Sequence, residues 1–145
     1  MSDIKRKKRI RRGFTMVELM AILIIIGLLA TLVVTKVATK IDQAKLITTK
    51  ANLKMLHSAV NQFKMDTGRF PAEDVGLIEL IQQPGDVKIW EEGGYLETTE
   101  LPKDGWGLDF IYELFPESGK PFVIRSAGPD GQEGTEDDLL STDAD

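Results

Sequence analysis

The sequence predicts an α+β fold: one long N-terminal helix whose second half packs on a small antiparallel sheet. Three observations carry this reading. From Phe14 to Asp66 there is no proline and the only glycine is Gly27. Within that stretch, Met16 to Val34 form an apolar run interrupted only by Glu18 and Thr31. After Pro71 the chain changes to short apolar and aromatic runs between Gly, Pro and Asp turns, a pattern of strands and loops. A length of 145 residues leaves room for one modest domain plus an extra element.

A helix over residues 14–66 would be about 80 Å long, of which a bilayer core would take roughly 30 Å. The remainder would project beyond the membrane, and there the apolar pattern becomes periodic. Leu53, Leu56, Val60 and Phe63 step by three and four, as do Ile41, Ala44, Thr48, Ala51 and Met55. Together they predict one buried stripe, with Lys45, Lys50, Asn52, Lys54, Asn61 and Lys64 mostly off it. The stripe is too short and mixed for sustained heptads, which favours packing on a domain over a coiled coil. In "DTGRFP", Gly68 suits a left-handed cap and Pro71 follows closely, so the helix should end there. His57 is the only histidine, has no acidic or Cys partner at ligand spacing, and is assigned no chemistry.

Charge is unevenly spread. Seven basic side chains against Asp3 give the first thirteen residues +6, leaving −11 for the rest of a chain whose net charge is −5. A basic block can be a nucleic-acid arm. Placed directly before an apolar span, it reads instead as a cytoplasmic anchor that sends the residues after Val34 outside, and no nucleic-acid partner is expected. A cleaved signal peptide would have a shorter apolar region ending at small residues. This run is longer, lacks that ending and carries Glu18 near its start. An acid inside a bilayer costs about 2.5–3.5 kcal/mol near a helix centre, so Glu18 points to a function and a partner.

Beyond Pro71, "AEDVGLIELIQQP" places Val75, Leu77, Leu80 and Ile81 on one side of a short helix that stops at Pro84. Residues 108–114 and 121–126 read as two strands. Phe110 alternates with Tyr112 and Phe122 with Ile124, and Glu117-Ser118-Gly119-Lys120 forms the hairpin loop. Trp90, Tyr95 and Trp106 are single, spaced aromatics, read as core or loop anchors in preference to a ligand platform.

The chain has no cysteine, so rigidity cannot come from disulfides. No Ser/His/Asp or Cys/His set exists, and an enzyme is not expected. Residues 128–138, "GPDGQEGTEDD", gather five carboxylates among glycines. Such a loop can wrap a hard cation such as calcium, which takes six to eight oxygens, but the spacing is not that of an EF-hand. On composition alone, a solvated acidic tail explains the loop as well. An anion-binding loop is excluded, because the acids would repel it.

The stretch Gly13-Phe14-Thr15-Met16-Val17-Glu18-Leu19-Met20 behind a basic leader resembles the class III leader of type IV pilins and type II secretion pseudopilins. The resemblance implies that a prepilin peptidase cuts between Gly13 and Phe14 and methylates the new Phe14 amine. It also implies that Glu18 pairs with the amine of a neighbouring subunit during filament assembly. The spacing is physically apt, since Phe14 and Glu18 are i and i+4 at a helix start, where an acid also favours the dipole. "DTGRFP", "GLIELIQQP", "GGYL", "LPKDGWG", "GKPF" and "SAGPDGQEGTEDD" extend the resemblance to the major pseudopilin of type II secretion, from about Arg12 to Asp138.

The resemblance implies four segments: a cleaved cytoplasmic leader (1–13), the membrane and assembly half of the helix (14–35), its amphipathic half (36–66), and a periplasmic globular part (67–145). It implies calcium held by Asp130, Asp137 and Asp138, with backbone carbonyls of Ala127 and Thr135. Glu133, Glu136 and Asp143 are further candidates. The implied protein is a single-pass bacterial inner-membrane subunit that polymerises with itself into a periplasmic pseudopilus. Its further partners would be minor pseudopilins and the inner-membrane secretion platform. Two rival readings are a surface type IV pilin and a membrane-anchored calcium-binding module that never polymerises. The chain departs from the family pattern at Thr35 and Gly105, where proline is common. Thr35 breaks no backbone hydrogen bond, which counts against a loosened helix there. Gly105 suits a turn as proline does, so that departure reads as minor.

Overall fold

The computed structural model describes residues 13–143, with the side chains of residues 32–38 outside that set. The basic leader through Arg12 therefore lies outside the described residues. The elements are α1 (Met16–Thr67), a 3-10 helix (Gly76–Leu80), β1 (Ile111–Leu114), β2 (Phe122–Ser126) and β3 (Leu139–Leu140). Contacts divide the chain into two compact units, Met1–Lys40 and Ile41–Asp145.

In the first unit, the described large apolar side chains of α1 are exposed. Val17 is 76% exposed, Leu23 60% and Ile24 63%. The Thr31 hydroxyl donates to Leu28 O at 2.7 Å, so this polar group is satisfied within the helix. Among the described residues no helix is long and apolar enough to cross a membrane. The described part of the apolar run stops at Thr31, and the sequence carries it on through Leu32, Val33 and Val34.

In the second unit, Leu53, Leu56, Val60 and Phe63 of α1 are fully buried, as their spacing predicts. They pack with Leu77 and Leu80 of the 3-10 helix, with Leu96, and with Phe122 and Ile124 of β2. The other predicted row fails. Ile41 is 51% and Met55 40% exposed, and Ala44, Thr48 and Ala51 are exposed as well. At about 100° per residue the two rows lie roughly 120° apart around the helix, so a single sheet covers only one. Thr49 joins the buried row, its hydroxyl donating to Lys45 O at 2.9 Å and accepting from Gly105 N at 2.8 Å.

α1 ends as predicted. Gly68 has φ +82°, the left-handed conformation only glycine adopts cheaply, and its N–H donates to Lys64 O at 2.8 Å. The short helix before Pro84 is a 3-10 turn, which changes its faces. With three residues per turn, Leu77 and Leu80 share the buried row, while Val75 and Ile78 fall on an exposed one. Glu79 is buried and meets Arg69, whose guanidinium bonds both Glu79 (2.6 and 3.2 Å) and Asp86 (2.9 and 3.1 Å). The Ala72 amide also donates to Glu79, at 3.1 Å.

β1 and β2 pair antiparallel with Ile111 opposite Arg125 and Leu114 opposite Phe122. β3 adds on the far side of β2 with Arg125 opposite Leu140. The sheet is thus a three-stranded meander, one strand more than the sequence pattern indicates. Trp90 and Tyr95 meet edge to face at 6.0 Å, both pack on the core, and the Trp90 indole N–H donates to Glu79 O. They act as core anchors. His57 lies against Phe122 with ring centroids 4.6 Å apart, and its Nδ1 is 3.2 Å from Ser141 Oγ.

Candidate functional site

Two regions hold the residues singled out above. The first is the start of α1. Gly13 and Phe14 precede the helix and are exposed, Phe14 by 77%. A Cβ on Gly13 would meet nothing within 4 Å, so the fold itself places no demand for glycine there. Thr15 caps the helix. Its hydroxyl accepts from Glu18 N at 3.2 Å, while Thr15 N donates to Glu18 Oε2 at 3.4 Å. This reciprocal pair is a capping box, and the Thr-x-x-Glu spacing that announces it was legible at Thr15–Glu18. Glu18 therefore has a partner inside its own chain.

The second region is the loop between β2 and β3. Ser126 and Ala127, at the end of β2, are buried, and the Ser126 hydroxyl donates to Asp104 Oδ2 at 2.7 Å. Asp104 also accepts from the amides of Trp106 and Leu108, so it fastens residues 104–108 to this strand end. Sequence reasoning did not single out Asp104, although an aspartate before glycine in "LPKDGWG" is a turn signal.

Beyond Ala127 the loop folds on its own acids. Asp137 Oδ1 accepts from the Thr135 hydroxyl at 2.5 Å, and Asp137 Oδ2 accepts from Asp130 N at 3.4 Å. Asp138 Oδ2 accepts from Gly134 N at 2.8 Å, and its Oδ1 lies 3.4 Å from the Thr135 hydroxyl. The Asp130 carboxylate turns to Gln132 N at 2.8 Å. Thr135 thus joins Asp137 and Asp138, and only the amide of Asp130 reaches toward them. The Thr135 hydroxyl, followed by backbone N–H groups, holds the Asp137 carboxyl below its ordinary value. Glu133 and Glu136 are exposed, and Asp143 sits beyond β3 bonded to Thr142.

The donor chemistry suits a hard cation, since carboxylate, hydroxyl and carbonyl oxygens predominate. Gly128, at φ +65°, lets the backbone close in: a Cβ there would collide with the Asp137 carbonyl and lie 3.1 Å from its Oδ2. The cage is nevertheless not assembled. Among the described residues no three Asp, Glu or His side chains are gathered to hold a metal ion. Arg125 of β2, which sequence reasoning missed, sits between two acids, with Asp138 Oδ2 at 3.7 Å and Glu113 Oε2 at 3.5 Å.

Residues 36–142 match the family of type II secretion system (T2SS) protein G, and residues 8–34 match the prokaryotic N-terminal methylation motif. The chain belongs to the protein G family of type II secretion. Its core protein G relative in Pseudomonas aeruginosa is 37% identical, over 90% of this chain and 92% of that one. The Vibrio cholerae core protein G is 36% identical, over 90% and 89%. The fold matches the crystal structure of the major pseudopilin from the type 2 secretion system of enterohaemorrhagic Escherichia coli. That match has a TM-score of 0.59 at 29% identity, covering 68% of this chain and 87% of the other. A helix with a small antiparallel three-stranded sheet is the pseudopilin fold, and the α+β expectation holds.

Proposed function

We propose that this chain is the subunit of a periplasmic pseudopilus that helps drive folded proteins across the outer membrane. One observation carries the reading: the described large apolar side chains in the first half of α1 are exposed, while the second half already has a finished core. A helix that is apolar all round needs lipid or other helices. In the inner membrane it has lipid, and in a filament it has the same helix of neighbouring subunits.

Prepilin peptidase cuts between Gly13 and Phe14 and methylates Phe14, with the N-terminus cytoplasmic and the globular part periplasmic. The absence of any steric demand for glycine at position 13 fits a requirement set by a peptidase. Glu18 then exchanges its capping partner for a neighbour's Phe14 amine. The 3.4 Å bond from Thr15 N is long, so replacing it costs little. Minor pseudopilins and the inner-membrane platform complete the assembly. Calcium, held by Asp130, Asp137 and Asp138 with Ala127 and Thr135 carbonyls, fastens the β2–β3 loop of a domain without disulfides.

The test is Glu18→Ala in the secreting cell. Mature protein of normal mass, with filaments and secretion abolished, is the expected result. Normal secretion by the variant would overturn the assembly role. For the metal, the melting temperature should rise with calcium over chelator, and Asp130→Ala should remove the rise.

A further inference from the structure

We propose that Arg125 is a built-in counter-charge of the β2–β3 loop, standing where a cation is absent and setting how tightly calcium is held. This rests on the calcium reading above. Arg125 is the only basic residue after Lys120, against seven acids in the same stretch. Its position follows from the sheet, since β2 pairs it with Ile111 on one side and Leu140 on the other. From there the guanidinium reaches Asp138 at 3.7 Å and Glu113 at 3.5 Å. Asp138 is the more sheltered of the two acids, with a side chain 9% exposed against 42% for Glu113.

A sheltered carboxylate without a cation is costly, and its like-charged neighbour Asp137, which shares the Thr135 hydroxyl with it, adds to that cost. Arg125 offsets it in the metal-free loop. The same guanidinium opposes a dication at Asp138, because the two positive charges would sit side by side. Glu113 moderates the opposition by offering Arg125 a second acid on β1. The affinity of the loop for calcium is therefore set by the partition of Arg125 between Asp138 and Glu113.

The experiment is calorimetric titration of calcium into the full chain in detergent micelles, with metal-free melting temperatures measured alongside. Arg125→Met should bind calcium about ten-fold tighter, as expected when a unit charge leaves the side of a dication in partly solvated protein. Its metal-free form should melt a few degrees lower. Glu113→Gln, which leaves Arg125 to Asp138, should bind several-fold more weakly. Arg125→Lys keeps the charge and should stay near the wild-type affinity, which also provides a folded control. Tight binding by Arg125→Met where the wild type binds none would support the proposal. Equal or weaker binding by Arg125→Met, with the wild type binding normally, would overturn it and leave the calcium reading intact. Binding by neither protein would overturn both.

Discussion

Replacing Gly105 by proline removes an N–H and adds a ring where residues 101–109 press on α1. The approach there is the closest that any glycine of the described chain makes to a helix. A Cβ on Gly105 would collide with the Lys45 carbonyl oxygen and lie 2.6 Å from Lys45 Cα, both rigid helix backbone. The Gly105 N–H donates to the buried Thr49 hydroxyl at 2.8 Å, and Asn52 secures the same loop through Lys103 O at 2.9 Å. Overpacking of this kind costs about 1–3 kcal/mol, and the lost bond to a buried hydroxyl about 1 kcal/mol more. For a unit of about a hundred residues, 2–4 kcal/mol corresponds to a fall in melting temperature of about 10–20 °C. Thermal unfolding followed by circular dichroism reads this directly. Gly105→Ala adds the clash but keeps the N–H, so it should fall between wild type and Gly105→Pro. In a Thr49→Val background, the step from alanine to proline should shrink toward zero. A Gly105→Pro protein melting within about 3 °C of wild type would refute the argument. Gly105 and Thr49 are thus a matched pair in this chain, because proline has no N–H to give Thr49.

Arg69→Met should destabilise by about 3 kcal/mol, because it strands the buried Glu79 carboxylate; urea unfolding checks this. Adding Glu79→Gln should recover part of the loss. Hydrogen bonding to Arg69 holds the Asp86 carboxyl below its ordinary value. A depressed carboxyl contributes stability above its unfolded pKa and loses it as pH falls through the folded one. Acid titration of the melting temperature should therefore show a loss below about pH 4 that Asp86→Asn reduces. Leu56→Ala, at a fully buried position, should cost about 2–5 kcal/mol by chemical denaturation. Thr15→Val removes the hydroxyl that accepts from Glu18 N, and should lower helicity at the start of α1 without moving the melting temperature of the globular unit.

How much of this was legible depends on whether the physics is local. The buried row Leu53–Leu56–Val60–Phe63, the Gly68 cap and the β1–β2 hairpin follow from spacing and turn chemistry within a few residues. The Gly13–Glu18 stretch and the acidic loop were likewise visible as short patterns. What failed needed a neighbour distant in sequence. Two apolar rows on α1 have equal periodicity, and only the position of the sheet decides that Ile41, Ala44 and Met55 stay outside. β3 has two residues, too few for any alternation to show. Glu79 reads as a polar position until Arg69 closes on it, and Arg125 reads as an outward strand residue until β3 brings Asp138 beside it.

The same division of labour runs along α1 and makes its two halves separately testable. Among the described residues, every buried apolar side chain lies at Leu53 or beyond. Folding of the globular unit thus draws on the second half of the helix, the loops and the sheet. Gly13, Phe14 and Glu18 contribute nothing to that core, and the hydrogen bonds between Thr15 and Glu18 stay within the first helical turn. A substitution there that abolishes the filament while leaving the melting curve unchanged reports on assembly alone. A substitution at Arg69, Gly105 or Leu56 lowers the melting curve first, and any loss of filament follows from depleted folded subunit. The reverse pattern, a Glu18 variant that unfolds the globular part, would mean that the first turn of α1 supports the core through contacts this structure does not contain.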